Sequence, residues 1–381
     1  MKITDQIIKK INSRIISKKE ILAVSKVLTA GLLSRPEGGP QVKKFQEMMA
    51  VHTLKKYALS TTSGTAALHL AILSLRLKKG DEVIVPALAN IADCSVILQE
   101  GLIPVFVDVD PCDFNIDPIK VKKAITRKTK ALIVVHMYGQ PARIKELLAI
   151  CHRHNIKLIE DCAQAAGARY FGKYVGSFGD LSCFSFYQTK HIICGEGGMV
   201  TTNDKGQAKL ISSLANNGIK HDNLEDYDYD MIGYNYQMTE IQGALGIEQL
   251  KKVDRLNRIR RQNARIYTKI LESTGLTFQC KHKNTDNSFF YLSALVPPGY
   301  NRDHFISELK KSSVPVKKLY PLSLPDVELI RKKRLGQRCE VARSITKRIF
   351  NLYVNPGLSK KDIATFAKKI KIVYEREKKS A

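Results

Sequence analysis

Ala131-Leu132-Ile133-Val134-Val135 is an uninterrupted apolar run, and Lys157-Leu158-Ile159-Glu160-Asp161 repeats the pattern before ending in two carboxylates. Between them, residues 142–154 carry a helical pattern that ends in the polar His152-Arg153-His154. A strand that is apolar on both faces must be covered on both, and a helix joining two such strands makes them parallel neighbours. The alternation spreads outward. Tyr57-Ala58-Leu59, Glu82-Val83-Ile84-Val85 and Pro104-Val105-Phe106-Val107 read as further strands, with helices over 65–76 and 117–124. The expectation is an α/β protein built on a mainly parallel sheet between helices, with any ligand at the carboxyl ends of the strands.

At the N-terminal side, residues 18–31 read as a helix stopped by Gly31, and Gly38-Gly39-Pro40 precedes another from about Val42. Past residue 190 the pattern changes. A short strand at Gly197-Gly198-Met199-Val200-Thr201-Thr202 leads into a helix from Asp204, and a long proline-free helical pattern covers 239–271. A strand pair near Thr277 and 289–295 follows, then helices over 302–311, 336–348 and 360–374, with a basic tail expected to fray. This predicts a large domain over 1–250 and a smaller α+β domain over 251–381.

Of the 381 residues 44% are apolar and 26% charged, as in a soluble globular protein. No window approaches the ~18 apolar residues of a membrane span. Charge comes too early in Met1-Lys2-Ile3-Thr4-Asp5 for a signal peptide, so a cytoplasmic location is expected. The eight cysteines are scattered with no Cys-x-x-Cys pair, which predicts free thiols. Cys151-His152-Arg153-His154 offers metal-ligand types but reads as the polar end of a helix, so no metal is expected. The net charge is +26, and residues 251–381 contribute +20 of it, with 31 Lys+Arg against 11 Asp+Glu. Nucleic-acid binding is the alternative that such a basic third raises. In 363–370, however, Ile363, Phe366, Ala367 and Ile370 share one helical face, which leaves the lysines on the wet side.

Chemistry concentrates at Phe184-Ser185-Phe186-Tyr187-Gln188-Thr189-Lys190-His191, followed by Gly195-Glu196-Gly197-Gly198. A lysine between an apolar strand and a glycine-rich turn, with the strand-end Asp161 upstream, is what a pyridoxal-phosphate site needs. The amine takes the aldehyde as a Schiff base and the carboxylate pairs with the ring nitrogen. Ser63-Gly64-Thr65 opens a helix after a strand, where exposed amides favour an anion, although Ser63 or Thr65 serves equally as a plain N-cap. Asp161 too reads as a helix cap when taken alone, and Lys190 as a surface lysine.

In order along the chain come Ser63-Gly64-Thr65-Ala66-Ala67-Leu68, Gly80-Asp81-Glu82-Val83-Ile84-Val85-Pro86, Pro104-Val105-Phe106-Val107-Asp108 and His136-Met137-Tyr138-Gly139. They are followed by Glu160-Asp161-Cys162-Ala163-Gln164, Lys190 with its glycines, and Gly233-Tyr234-Asn235-Tyr236. This series resembles the DegT/StrS-type aminotransferases of sugar nucleotides, which have the fold type I architecture of a seven-stranded sheet plus a smaller domain. The resemblance implies pyridoxal phosphate held by Lys190, with Asp161 at the ring nitrogen and Gln164 against the ring. Ser63, Gly64, Thr65 and Ser185 would hold the phosphate, Asn90 would lie over the ring, and Asn235 would reach the cofactor of a homodimer partner. It also implies glutamate as amino donor and a nucleotide-linked 4-keto-6-deoxyhexose as acceptor. A 3-ketosugar, a keto-cyclitol or a non-catalytic regulator stand as alternatives. Lysine in place of histidine at 190 favours amino transfer over dehydration. Three positions depart from the family pattern: Asn90 for an aromatic, Gln237 for arginine and Leu319 for histidine.

Overall fold

The structure, a computed structural model, describes residues 15–220, 228–229 and 231–380. Nine strands precede residue 205: β1 Tyr57–Thr61, β2 Glu82–Pro86, β3 Ile103–Val107, β4 Thr129–Val135, β5 Lys157–Asp161, β6 Arg169–Tyr170, β7 Lys173–Tyr174, β8 Leu181–Ser185 and β9 Gly198–Thr202. Seven of them form one sheet in the order β1-β9-β8-β5-β4-β2-β3. The pairs β2–β3, β2–β4, β4–β5 and β5–β8 are parallel, whereas β9 runs antiparallel to both β1 and β8. The central strands are buried along nearly their whole length, as runs such as 131–135 require. Helices Gly64–Ser74 and Ile144–His154 contribute to two apolar clusters that include opposite faces of β4: Ala131, Ile133 and Val135 in one, Leu132 and Val134 in the other.

Glu160 shows how this sheet tolerates a buried charge. Its carboxylate is fully enclosed and accepts from the backbone N–H groups of Gly176, Phe178 and Gly179, while His136 lies 3.1 Å away. Those bonds hold its pKa below the usual carboxylate value although burial alone would raise it.

The chain then adds β10 Thr277–Phe278, β11 Thr285–Asp286, β12 Leu292–Leu295, β13 Val316–Lys317 and β14 Ile349–Leu352. β10, β12, β14 and β13 make an antiparallel sheet, and helices Val253–Leu271, Arg302–Lys311 and Lys360–Ser380 share its apolar cluster. β11 instead pairs with β6 and ties this part of the chain back to the first.

Three sequence expectations need correction. The pattern over 239–271 is two helices, Glu240–Leu250 and Val253–Leu271, broken at Lys251-Lys252. Each half is committed to a different surface. Gly243 and Gly246 let the first approach Val42 and Phe45 so closely that a Cβ at either would collide, while Tyr267 and Leu271 of the second belong to the other core. The basic tail continues as helix to Ser380. The cysteines are not all free: Cys112 and Cys280, 168 positions apart with Cα atoms 5.3 Å apart, form a disulfide, while the other six are buried thiols. A bond from Cys280 N–H to the Cys112 carbonyl (2.8 Å) aligns the pair, a proximity that linear spacing cannot reveal.

Candidate active site

Every site residue expected from within a single chain lies at or just beyond the carboxyl ends of the parallel strands. β1 runs into Ser63, whose hydroxyl oxygen accepts from Ala66 N–H (3.1 Å) and caps helix Gly64–Ser74. The capping role therefore engages that oxygen, and the anion-binding capacity falls to the N–H groups of the first turn. Ser185 closes β8, and a Cβ on Gly64 would stand 2.7 Å from the Ser185 Cβ, so the two segments touch although 121 positions separate them. Thr65 is exposed beside them.

Asp161 ends β5, buried, with Oδ1 accepting from Ala163 N–H (2.8 Å). Burial raises its pKa, and the amine of Lys190 works against that rise. Lys190 follows β8 in a turn closed by its N–H to the Tyr187 carbonyl (2.9 Å), and its Nζ lies 4.6 Å over the Phe290 ring. Desolvation lowers the pKa of the amine, while Asp161 and Asp93 oppose the shift. A lysine that must be neutral for part of a reaction cycle benefits from this direction.

Gln164 is clamped at both ends: Oε1 accepts from Tyr138 N–H (3.0 Å) and Nε2 donates to the Tyr320 hydroxyl (2.9 Å). Asn90 caps helix Ile91–Gln99 through Ala92 N–H (2.9 Å), and its side chain also reaches the Tyr320 hydroxyl. Tyr320, in a left-handed conformation (φ 59°), thus enters the site from the C-terminal part of the chain and joins Asn90 to Gln164. Sequence reasoning missed it as a site residue, and also missed Asp93, a fully buried carboxyl facing Asp161. Asn235 is exposed and bridged to Asn216, whose side chain also accepts from Gln237.

The arrangement fits pyridoxal phosphate on structural grounds. A buried strand-end carboxylate suits a cationic ring nitrogen, an amine of lowered pKa stands near it, and Gly64 at a helix N-terminus lets Ser185 pack against the first-turn N–H groups, so that amides and a hydroxyl lie together.

Fold and site together define a pyridoxal-phosphate-dependent transferase. The sequence pattern of the DegT/DnrJ/EryC1/StrS aminotransferase family matches residues 14–371, and the chain belongs to that family. It is 34% identical to the GDP-perosamine synthase of Escherichia coli O157:H7 over 88% of this chain and 91% of that protein. The crystal structure of an aminotransferase from Psychrobacter cryohalolentis superimposes with a TM-score of 0.87 at 30% identity, covering 95% of this chain and 98% of that one. The GDP-4-keto-6-deoxy-D-mannose-3-dehydratase of E. coli with bound hydrated PLP gives 0.85 at 27% identity, covering 93% and 97%. The protein is accordingly a PLP-dependent aminotransferase.

Proposed function

We propose that the enzyme transfers an amino group from glutamate to a nucleotide-linked keto-deoxysugar, with a 4-keto-6-deoxyhexose as the acceptor. The observation that carries this reading is the Lys190 amine, lowered in pKa and close to Asp161 at the strand ends. The likeness to a GDP-perosamine synthase over nine-tenths of both chains supports the sugar-nucleotide class. The bound cofactor supplies an electron sink for the carbanion formed at the amino-bearing carbon.

Lys190 would hold the cofactor through its Nζ amine and, once free, would act as the base and acid that moves the donor's proton. Asp161 keeps a proton on the ring nitrogen. Gln164, held rigid by Tyr138 and Tyr320, presents its remaining amide hydrogen to the ring's phenolic oxygen. Asn90 would lie over the ring in place of a stacking aromatic. The first-turn N–H groups at Gly64 and Thr65 and the Ser185 hydroxyl would hold the phosphate, with Ser63 shaping the turn.

The same reading includes two domains (1–250 and 251–381), a cytoplasmic location, and a homodimer in which Asn235 serves the neighbouring copy. The exposed Ile21, Leu22 and Leu28 on helix Lys18–Ala30 favour association. No helix among the described residues is long and apolar enough to cross a membrane.

The test loads the protein with pyridoxamine phosphate, adds GDP- and dTDP-linked 4-keto-6-deoxysugars, and follows return of the aldehyde spectrum. Lys190→Ala is expected to abolish turnover and the borohydride-reducible yellow band. Normal turnover by that variant would sink the assignment.

A further inference from the structure

Asp93 is the buried titratable group that this scheme leaves unused. It is the third residue of helix Ile91–Gln99 and is 0% exposed. Neither of its carboxyl oxygens meets a donor at hydrogen-bond geometry. The groups turned toward it are the Asn90 backbone, the Asp161 carboxyl and the Lys190 amine. Its field also reaches the Cys94 and Cys183 thiols and the Tyr320 hydroxyl.

An acid at this helical position often reaches back to the N–H of the capping residue, and the Asn90 N–H does favour the ionised form of Asp93, but burial and Asp161 outweigh it. Ionised, Asp93 would set a second negative charge beside Asp161 in a desolvated space. Protonated, it becomes a donor, and Asp161 is the acceptor in front of it. Asp161 spends Oδ1 on Ala163 N–H, so its carboxylate has capacity left for one donor from the helix side and one from the ring side.

We propose that Asp93 is a positioning residue for Asp161: its carboxyl keeps a proton and donates it in a hydrogen bond to the Asp161 carboxylate. This rests on the reading of Asp161 as the ring-nitrogen partner. The donated bond fixes the plane of Asp161 and draws electron density from it, which weakens it as a base. The ring nitrogen then holds its proton less tightly than a lone Asp161 would make it, and the cofactor's electron demand is tuned by a residue that never touches it. Burial, and next the charge of Asp161, push the Asp93 pKa well up, in the direction this arrangement needs.

Two variants separate the possibilities. Asp93→Asn keeps an N–H donor without a titrating proton, whereas Asp93→Leu keeps the shape and removes the donor. Each is reconstituted with pyridoxal phosphate labelled with 15N at the ring, and the ring-nitrogen chemical shift is followed against pH beside cofactor dissociation. Asp93→Asn should stay within about twofold of wild type in affinity. Asp93→Leu should raise the ring-nitrogen midpoint by about one pH unit and weaken binding about tenfold, the scale of one hydrogen bond to a charged group. Identical behaviour of the two variants, or wild-type behaviour of Asp93→Leu, overturns the proposal. Should Asp93→Leu not fold, the infrared difference between wild type and Asp93→Asn near neutral pH decides. A carbonyl-stretch band of a neutral carboxylic acid, lost in the variant, is expected, and its absence from wild type overturns the proposal. Asp161→Asn serves as control: an unmoved ring-nitrogen titration there refutes the ring-partner reading itself, and this proposal with it.

Discussion

Replacing Gly198 with alanine tests how tightly the glycine-rich turn is built against the N-terminus of helix Gly64–Ser74. Gly198 opens β9 and pairs with Thr61 on one side and Ser185 on the other. A Cβ there would stand 2.2 Å from the Ser63 carbonyl oxygen, 2.5 Å from its carbon and 2.9 Å from the Gly64 nitrogen. Ordinary contact begins at 3.4 Å, so the Ser63 carbonyl must retreat by about 1 Å. All three atoms are backbone and no rotamer change relieves them. The same carbonyl accepts from Ala67 N–H (3.0 Å) and from the Thr61 hydroxyl (2.8 Å), so its retreat strains the first turn of helix Gly64–Ser74. Overpacking of this kind costs about 1–3 kcal/mol. If the displaced turn is where the phosphate sits, the loss appears in cofactor binding as roughly a 5- to 150-fold rise in Kd. Fluorescence titration of the apoprotein with pyridoxal phosphate measures it, and thermal unfolding of the apoprotein measures any share borne by the fold. Binding within twofold of wild type together with an unchanged Tm would refute both the clash and the placement of the phosphate.

The apoprotein should also show a pH dependence traceable to the Asp93–Asp161 pair. The folded-state pKa of Asp93 lies above its unfolded value of about 3.9, so its contribution is full below that value and is lost as pH rises through the folded value. Asp93→Asn removes this loss, and its Tm advantage over wild type should grow as pH rises above about 4; parallel curves would contradict the assignment. Reducing the Cys112–Cys280 bridge, or making Cys112→Ser, should lower denaturant stability by about 2–4 kcal/mol because a 168-residue separation is released in the unfolded chain. Equal midpoints before and after reduction would show that the bond carries no stability.

The parallel sheet and the Asp161–Lys190 pair were legible because both are local signals: apolar runs of strand length, and polar residues just past their ends. Asp93 carried no such mark. An aspartate near the start of a helix looks like any first-turn acid, and only the sheet order, with β4 between β2 and β5, aims this one at Asp161. Tyr320 stands next to the departure at Leu319, but nothing local says that it docks against Gln164, 156 positions away. The break at Lys251-Lys252 was hidden for a related reason: no proline marks it, and the divergence of two packing surfaces made it.

The reversed strand β9 has a consequence for the lysine's loop. Because β9 returns beside β8, the segment between Ser185 and Gly198 leaves and re-enters the sheet at a single paired position. Within it, Phe186 N–H reaches the Gly197 carbonyl, Gln188 N–H that of Gly195, and Cys194 N–H that of Phe186. A crossover to another parallel strand would have carried the chain to the far edge and left only one end of the loop near the chemistry. Here both ends are pinned, so the entropy of closing the loop is met by the sheet itself, and it grows only slowly with added length. Lys190 hangs in a sling with two fixed ends, and a residue inserted between Tyr187 and Gly195 would change its slack without moving either anchor.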